Sequence, residues 1–201
     1  MYKLCVAVFF LMIAQQAIAD DLRFETTTEG IANALINSKN AANIKTRGIK
    51  AFSDTKTRGI MIVTEEQGEI VKKKIMVSED QSEQGVNLKI EFDIDSHSIR
   101  PESYQLLNEL GKALIDEKLM GIPMIIKGHT DSDGDAAYNL KLSFQRGISV
   151  KQYLTSNFAI SPSSLIVVGY GEVMALVPNN SIANKQINRR VEINTMPRKR
   201  F

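Results

Sequence analysis

The stretch Gly128-His129-Thr130-Asp131-Ser132-Asp133-Gly134-Asp135-Ala136-Ala137-Tyr138-Asn139-Leu140-Lys141-Leu142-Ser143-Phe144-Gln145-Arg146 decides how this chain is read. It continues a short apolar run, Pro123 to Lys127, breaks at a Gly/Asp cluster, and resumes as a helix-forming segment reaching about Ser156. The pattern is strand, loop, helix, with charge at the junction. In open α/β sheets ligands collect beyond the carboxyl ends of strands, so an acid at the strand tip and a cation inside the next helix can frame one pocket. Asp131 and Arg146 are that pair. Fixed negative and positive ends suit a zwitterion, such as the charged end of a diamino diacid, and require no catalysis.

Along the helix, Ala137, Leu140, Phe144 and Ile148 are spaced as an apolar stripe toward a sheet, with Asn139, Ser143, Arg146 and Val150 on another face. Asn139 and Arg146 stand two turns apart, about 10 Å along the axis. Upstream, Val86-Asn87-Leu88-Lys89-Ile90-Glu91-Phe92 alternates as a strand with one lightly covered face. Pro101 then opens a helix carrying Leu106, Leu107, Leu110, Leu114 and Ile115. Downstream, Leu165 to Gly169 reads as a buried strand, followed by Gly169-Tyr170-Gly171, an Asn-rich loop and a closing strand at Arg189 to Asn194. The order β-α-β-α-β-β predicts an α+β two-layer sandwich, a mixed sheet with helices on one face, over residues 86–196. A small N-terminal region precedes it.

That region, residues 20–85, carries weaker signals. Thr26-Thr27-Thr28 is a candidate cap for a short helix with Ile31, Leu35 and Ile36, ending near Ser38. Thr-Arg-Gly-Ile occurs at Thr46 and again at Thr57, which two similar turns would explain. Gly59 to Val63 and Ile70 to Val77 read as strands, and the polar run Ser78 to Gly85 marks a domain boundary.

The first 19 residues read as an export signal: Lys3, an apolar core from Leu4 to Ala14, and Ala17-Ile18-Ala19 before Asp20. Cys5 lies inside it, so the mature chain would have no thiol for disulfides, nucleophilic chemistry or metal binding. With 25 Lys+Arg against 23 Asp+Glu, the net charge of +2 gives no electrostatic case for nucleic acid. The tail, residues 197–201, is basic.

Phe92-Asp93, Ile99 and Pro101, Gly128-His129-Thr130-Asp131, Gly134, Asn139, Leu142-Ser143, Arg146, Gly169-Tyr170-Gly171-Glu172 and Asn188 to Glu192 together resemble the OmpA-like (OmpA/MotB) peptidoglycan-binding domain. The likeness covers residues 86–196. It implies an exported periplasmic module, associated with the cell wall and with the outer membrane as a candidate site. Such a module grips peptidoglycan without covalent bonds, through meso-diaminopimelate of the stem peptide. Residue by residue, it implies that Asp131 takes the ligand's ammonium and Arg146 its carboxylate. Asn139 would add polar contacts, the loop around Asp95 a wall, and Arg189 an approach from the last strand. No cofactor and no metal are implied. Two departures stand out: Gly147 replaces the usual alanine, at a cost of about 1 kcal/mol if the helix is exposed there, and the proline usual after Gly-Tyr-Gly-Glu is missing.

Two other functions fit parts of the sequence. Residues 20–85 could bind an envelope protein, making the chain an adaptor. Asp93-Ile94-Asp95 with Asp133-Gly134-Asp135 resembles the acidic motifs of a Mg-dependent phosphatase, but too little chain separates them for that fold's core. The alternating acids Asp131, Asp133 and Asp135 lack the glycine and glutamate of a calcium loop, having Ala136 and Leu142 instead. No Ser-His-Asp or metal-ligand spacing links His97 and His129.

Overall fold

A computed structural model describes residues 24–44, 57–66, 68–78, 85–93 and 95–196. The export signal, the first Thr-Arg-Gly-Ile copy, most of the polar run before Gly85 and the basic tail lie outside them. Helix α1 spans Thr28–Ile44, followed by strands β1 (Thr57–Glu66), β2 (Glu69–Ser78) and β3 (Val86–Leu88). Then come α2 (Tyr104–Leu114), β4 (Met124–His129), α3 (Ala136–Asn157), β5 (Leu165–Gly171), α4 (Ile182–Asn188) and β6 (Val191–Thr195). All six strands form one sheet, in the order β2-β1-β5-β4-β6-β3. Only β4 and β5 run parallel, as a crossover through α3 requires; the other pairs are antiparallel.

The fold is thus the mixed-sheet α+β sandwich that the pattern predicts. Ile126, Val167, Ile193 and Leu88 meet Ile31 and Leu35 of α1, Leu107 and Leu110 of α2, and Phe144, Val150 and Leu154 of α3 in one core. Each fully buried Leu or Ile contributes about 1.5–3 kcal/mol. The other face carries a smaller cluster of Ile60, Ile62 and Val168, joined by Tyr170 and by Met174 from the loop after β5.

Several elements differ from expectation. The strand expected over Val86 to Phe92 pairs only as far as Leu88. Ile90 is still buried, but the Glu91 amide donates to the Ser103 hydroxyl at 2.7 Å, and Glu91 accepts from the Arg100 amide at 3.0 Å. The alternation therefore reflects burial beyond the ladder's end. Helix α1 extends past Ser38 to Ile44, opened by the Thr27 hydroxyl accepting from the Gly30 amide at 3.1 Å. The second Thr-Arg-Gly-Ile copy lies at the start of β1 and is not a turn. Glycine at position 68, with φ of 86°, closes β1 and β2 into a hairpin, and β1 pairs with β5. The boundary expected near Gly85 therefore does not interrupt the sheet.

In α3 the stripe is displaced. Ala137 is exposed, whereas Ser143 and Val150 are buried. Gly147 is buried as well: a Cβ there would stand 2.5 Å from a Val167 methyl. It is therefore a close-packing position and not the exposed site at which a glycine only weakens a helix. The expected Asn-rich loop contains α4, capped by the Ser181 hydroxyl accepting from the Asn184 amide at 3.1 Å.

Candidate functional site

The tip of β4 is fixed by backbone bonds from the strands beside it: the His129 amide donates to Arg190 at 3.1 Å and the Thr130 amide to Gly171 at 3.0 Å. Asp131 therefore leaves the sheet at a defined point. Its Oδ1 accepts from the Asp133 amide at 3.0 Å, which folds the loop back, and Gly134, at φ 90°, supplies the left-handed turn. Asp135 then caps α3, accepting from the Ala137 and Tyr138 amides at 2.9 and 3.0 Å. From that helix Asn139 turns back: its amide nitrogen donates to the Asp133 carbonyl at 2.9 Å and to the Glu172 carboxylate at 2.8 Å. The acidic loop is therefore held between β4, α3 and the end of β5.

Beside this loop lies a cleft of about 800 Å³. Asp95, Asp131, Asn139, Arg146 and Arg189, the five expected site residues, all line it, with Phe92, Tyr138 and Leu142 among the rest. Arg146 is only 6% exposed and lies 5.0 Å over the Phe92 ring. Its Nε donates to the Ser96 carbonyl at 3.0 Å, and among the described residues its two Nη nitrogens have no hydrogen-bond partner. Burial, and then the neighbouring Arg189 charge, lower the Arg146 pKa, while Asp131 raises it. Arg146 remains a cation at any physiological pH.

Arg189 comes from an element different from the one expected, and Asn139, on the helix as expected, is engaged within the protein. Asn139 commits its amide nitrogen to the loop, so it positions Asp131. Arg189 comes from the C-terminal end of α4, not from the last strand, and its Nη1 pairs with Oδ2 of Asp131. Lys185, one turn earlier, pairs with Asp133 at 2.6 Å. Asp95 lines the cleft, with its backbone at φ 53°.

Tyr138 and Phe92 were not among the expected site residues. The Tyr138 hydroxyl donates to the Asp95 carboxylate, and that bond raises the Tyr138 pKa. An aromatic side chain left exposed in the first turn after an acidic strand tip was the available signal. The rim position of Asp95 depends on a left-handed backbone that no residue type there announces.

On the Tyr170 side of the sheet, His129 is 3% exposed and stacks on Tyr170 at 5.4 Å. Glu192 lies 3.6 Å from both Lys127 and His129, and 3.8 Å from Arg190. Burial lowers the His129 pKa to about 4. Burial alone would raise that of Glu192, but His129, Lys127 and Arg190 outweigh it and bring it to about 2.

An open mixed sheet, helices on one face and a charged cleft at the tip of the parallel pair define an OmpA-like α+β domain. Residues 91–189 match the model of the OmpA family, and the likeness is to that segment. It is 37% identical over 107 residues to outer membrane porin F of Pseudomonas fluorescens, covering 53% of this chain and 32% of that one. To the peptidoglycan-associated lipoprotein of Pseudomonas putida it is 33% identical over 102 residues, covering 51% and 59%. The match thus spans well under two thirds of either relative. Among solved structures, a MotB-like protein from Desulfovibrio vulgaris superposes with a TM-score of 0.50 at 21% identity, over 87% of this chain and 97% of the other, and supports the fold alone.

Proposed function

We propose that the domain binds peptidoglycan without covalent chemistry, through diaminopimelate of the stem peptide, and tethers or bridges envelope components to the cell wall. One observation carries this reading: a strand-tip carboxylate and a guanidinium whose two Nη nitrogens have no hydrogen-bond partner among the described residues line the same cleft. Diaminopimelate in a stem peptide ends in an ammonium and a carboxylate on one carbon. Asp131 would accept from the first, and the planar fork of Arg146 fits the second. Charge-assisted bonds of this kind contribute roughly 1.5–3 kcal/mol each. After the cost of immobilising a peptide, two or three leave each grip at micromolar affinity or weaker. A polymer that repeats the group compensates through avidity. The curated relative described as peptidoglycan-associated supports the same ligand. On this reading the protein is a binding module and not an enzyme, exported to the periplasm by residues 1–19 and associated with the wall.

Purified sacculi provide the test. The intact protein should sediment with them, while Arg146→Ala and Asp131→Ala should stay in the supernatant with an unchanged circular dichroism spectrum. Undiminished sedimentation of both folded variants would reject the assignment.

A further inference from the structure

Asp131 is not waiting with a bare carboxylate. Its Oδ1 is committed to the Asp133 amide at 3.0 Å, and its Oδ2 is paired with Arg189. An incoming ammonium therefore meets an oxygen already held by a cation. The carboxylate is 9% exposed, whereas the Arg189 side chain is 39% exposed and extends from the last turn of a short helix. The arginine is thus the partner free to move. Arg146 lines the same cleft, near enough to Arg189 for the two charges to repel. The Asp131 carboxylate is ion-paired with Arg189 and attracts Arg146 only at longer range.

We propose that Arg189 sets the selectivity of the cleft by exchanging partners: it leaves Asp131 as the ligand's ammonium arrives and pairs with the ligand's own carboxylate. This rests on the peptidoglycan reading above. A ligand bringing both charges returns to Arg189 what it takes away, whereas a ligand bringing only an ammonium strands a cation beside Arg146. The cleft therefore rejects ammonium-only side chains, although Asp131 by itself would accept them. Arg189 acts here as a specificity residue and not as one more point of grip.

Two synthetic stem tripeptides, identical except for diaminopimelate or lysine at the third position, test this by calorimetric titration. The unaltered protein should prefer the diaminopimelate peptide by about tenfold or more, since only that peptide brings a carboxylate that the displaced Arg189 can share with Arg146. Arg189→Ala should weaken the diaminopimelate peptide, strengthen the lysine peptide and bring the two within about threefold, because Asp131 is then unoccupied. Arg189→Lys keeps a cation on Asp131 and should retain most of the preference. If Arg189→Ala does not fold, Arg189→Gln carries the same comparison. A ratio unchanged in the variant, or a common loss for both peptides, makes the ion pair a structural brace and overturns the exchange. Failure of the unaltered protein to bind either peptide overturns the wall-binding reading together with it.

Discussion

Gly128 on β4 and Ser143 on α3 touch backbone to backbone: a Cβ on the glycine would overlap the Ser143 carbonyl oxygen. This contact sets how far Asp131, at the end of the strand, lies from Arg146, on the helix. The Ser143 hydroxyl adds a second tie, accepting from the Gly171 amide at 2.8 Å and donating to the Leu140 carbonyl at 2.8 Å. Gly128→Ala meets main chain, not a movable side-chain tip, and should destabilise the fold by about 3 kcal/mol or more. Ser143→Ala leaves the buried Gly171 amide unpaired and should cost about 1–3 kcal/mol. Urea unfolding midpoints measure both.

Helix propensity and packing give opposite signs at Gly147. In an exposed helix, alanine would stabilise by about 1 kcal/mol. Against Val167, a methyl at 2.5 Å forces the strand and helix apart, and overpacking costs about 1–3 kcal/mol. Gly147→Ala should therefore lower the unfolding midpoint; a rise would show that Val167 moves aside freely.

Acid should unfold the protein in two stages. His129 has a folded pKa of about 4 against 6.5 unfolded, so the unfolded chain binds the extra proton as pH falls through that window. Stability is full above about pH 6.5 and declines toward pH 4, by roughly 3 kcal/mol in all. Glu192, lowered from 4.5 to about 2, extends the loss over that lower range, because its stabilising charge is present above pH 4.5 and removed as pH falls. In His129→Phe the slope between pH 6.5 and 4 should flatten, and the lower stage should shrink as well, because His129 is the largest influence lowering the Glu192 pKa against burial. Chemical unfolding at a series of pH values tests this, and an unchanged upper slope would contradict it.

Asn188 has no exposed surface, and its side chain holds the loop that replaces the missing proline. Its Oδ1 accepts from the Leu176 and Val177 amides at 2.8 and 3.1 Å, and its Nδ2 donates to the Val177 carbonyl at 2.8 Å. Asn188→Ala should cost about 1–3 kcal/mol. Amide exchange at positions 176 and 177 should accelerate more than exchange in β5, which distinguishes a local release from general loosening.

The chain order and the sheet class were legible because periodicity reports which side of an element is covered, and here coverage follows topology. The same logic misled at β3. Ile90 is buried like Val86 and Leu88, so burial alone carried the strand reading past the last ladder bond. In α3, Ser143 and Gly147 are small rather than apolar; the helix lies closest to the sheet where its side chains vanish, and a hydrophobic pattern reports the reverse. Asp131 and Arg146 were visible as a pair because strand tip and helix are adjacent in sequence. The engagement of Asp131 by Arg189 was not, since it depends on α4, a helix of only 7 residues with too few apolar positions, Ile182, Ala183 and Ile187, to show a period.

Strand β2 ends the sheet, and no described strand pairs with its outer side. Ten residues of open ladder would ordinarily recruit a second copy. Two copies aligned antiparallel about Lys73 would set Lys73 against Lys73 and Lys72 against Lys74. Lys73 is paired with Glu66, but Lys72 and Lys74 would still face each other across that seam, so in this register like charges oppose the joining of two edges.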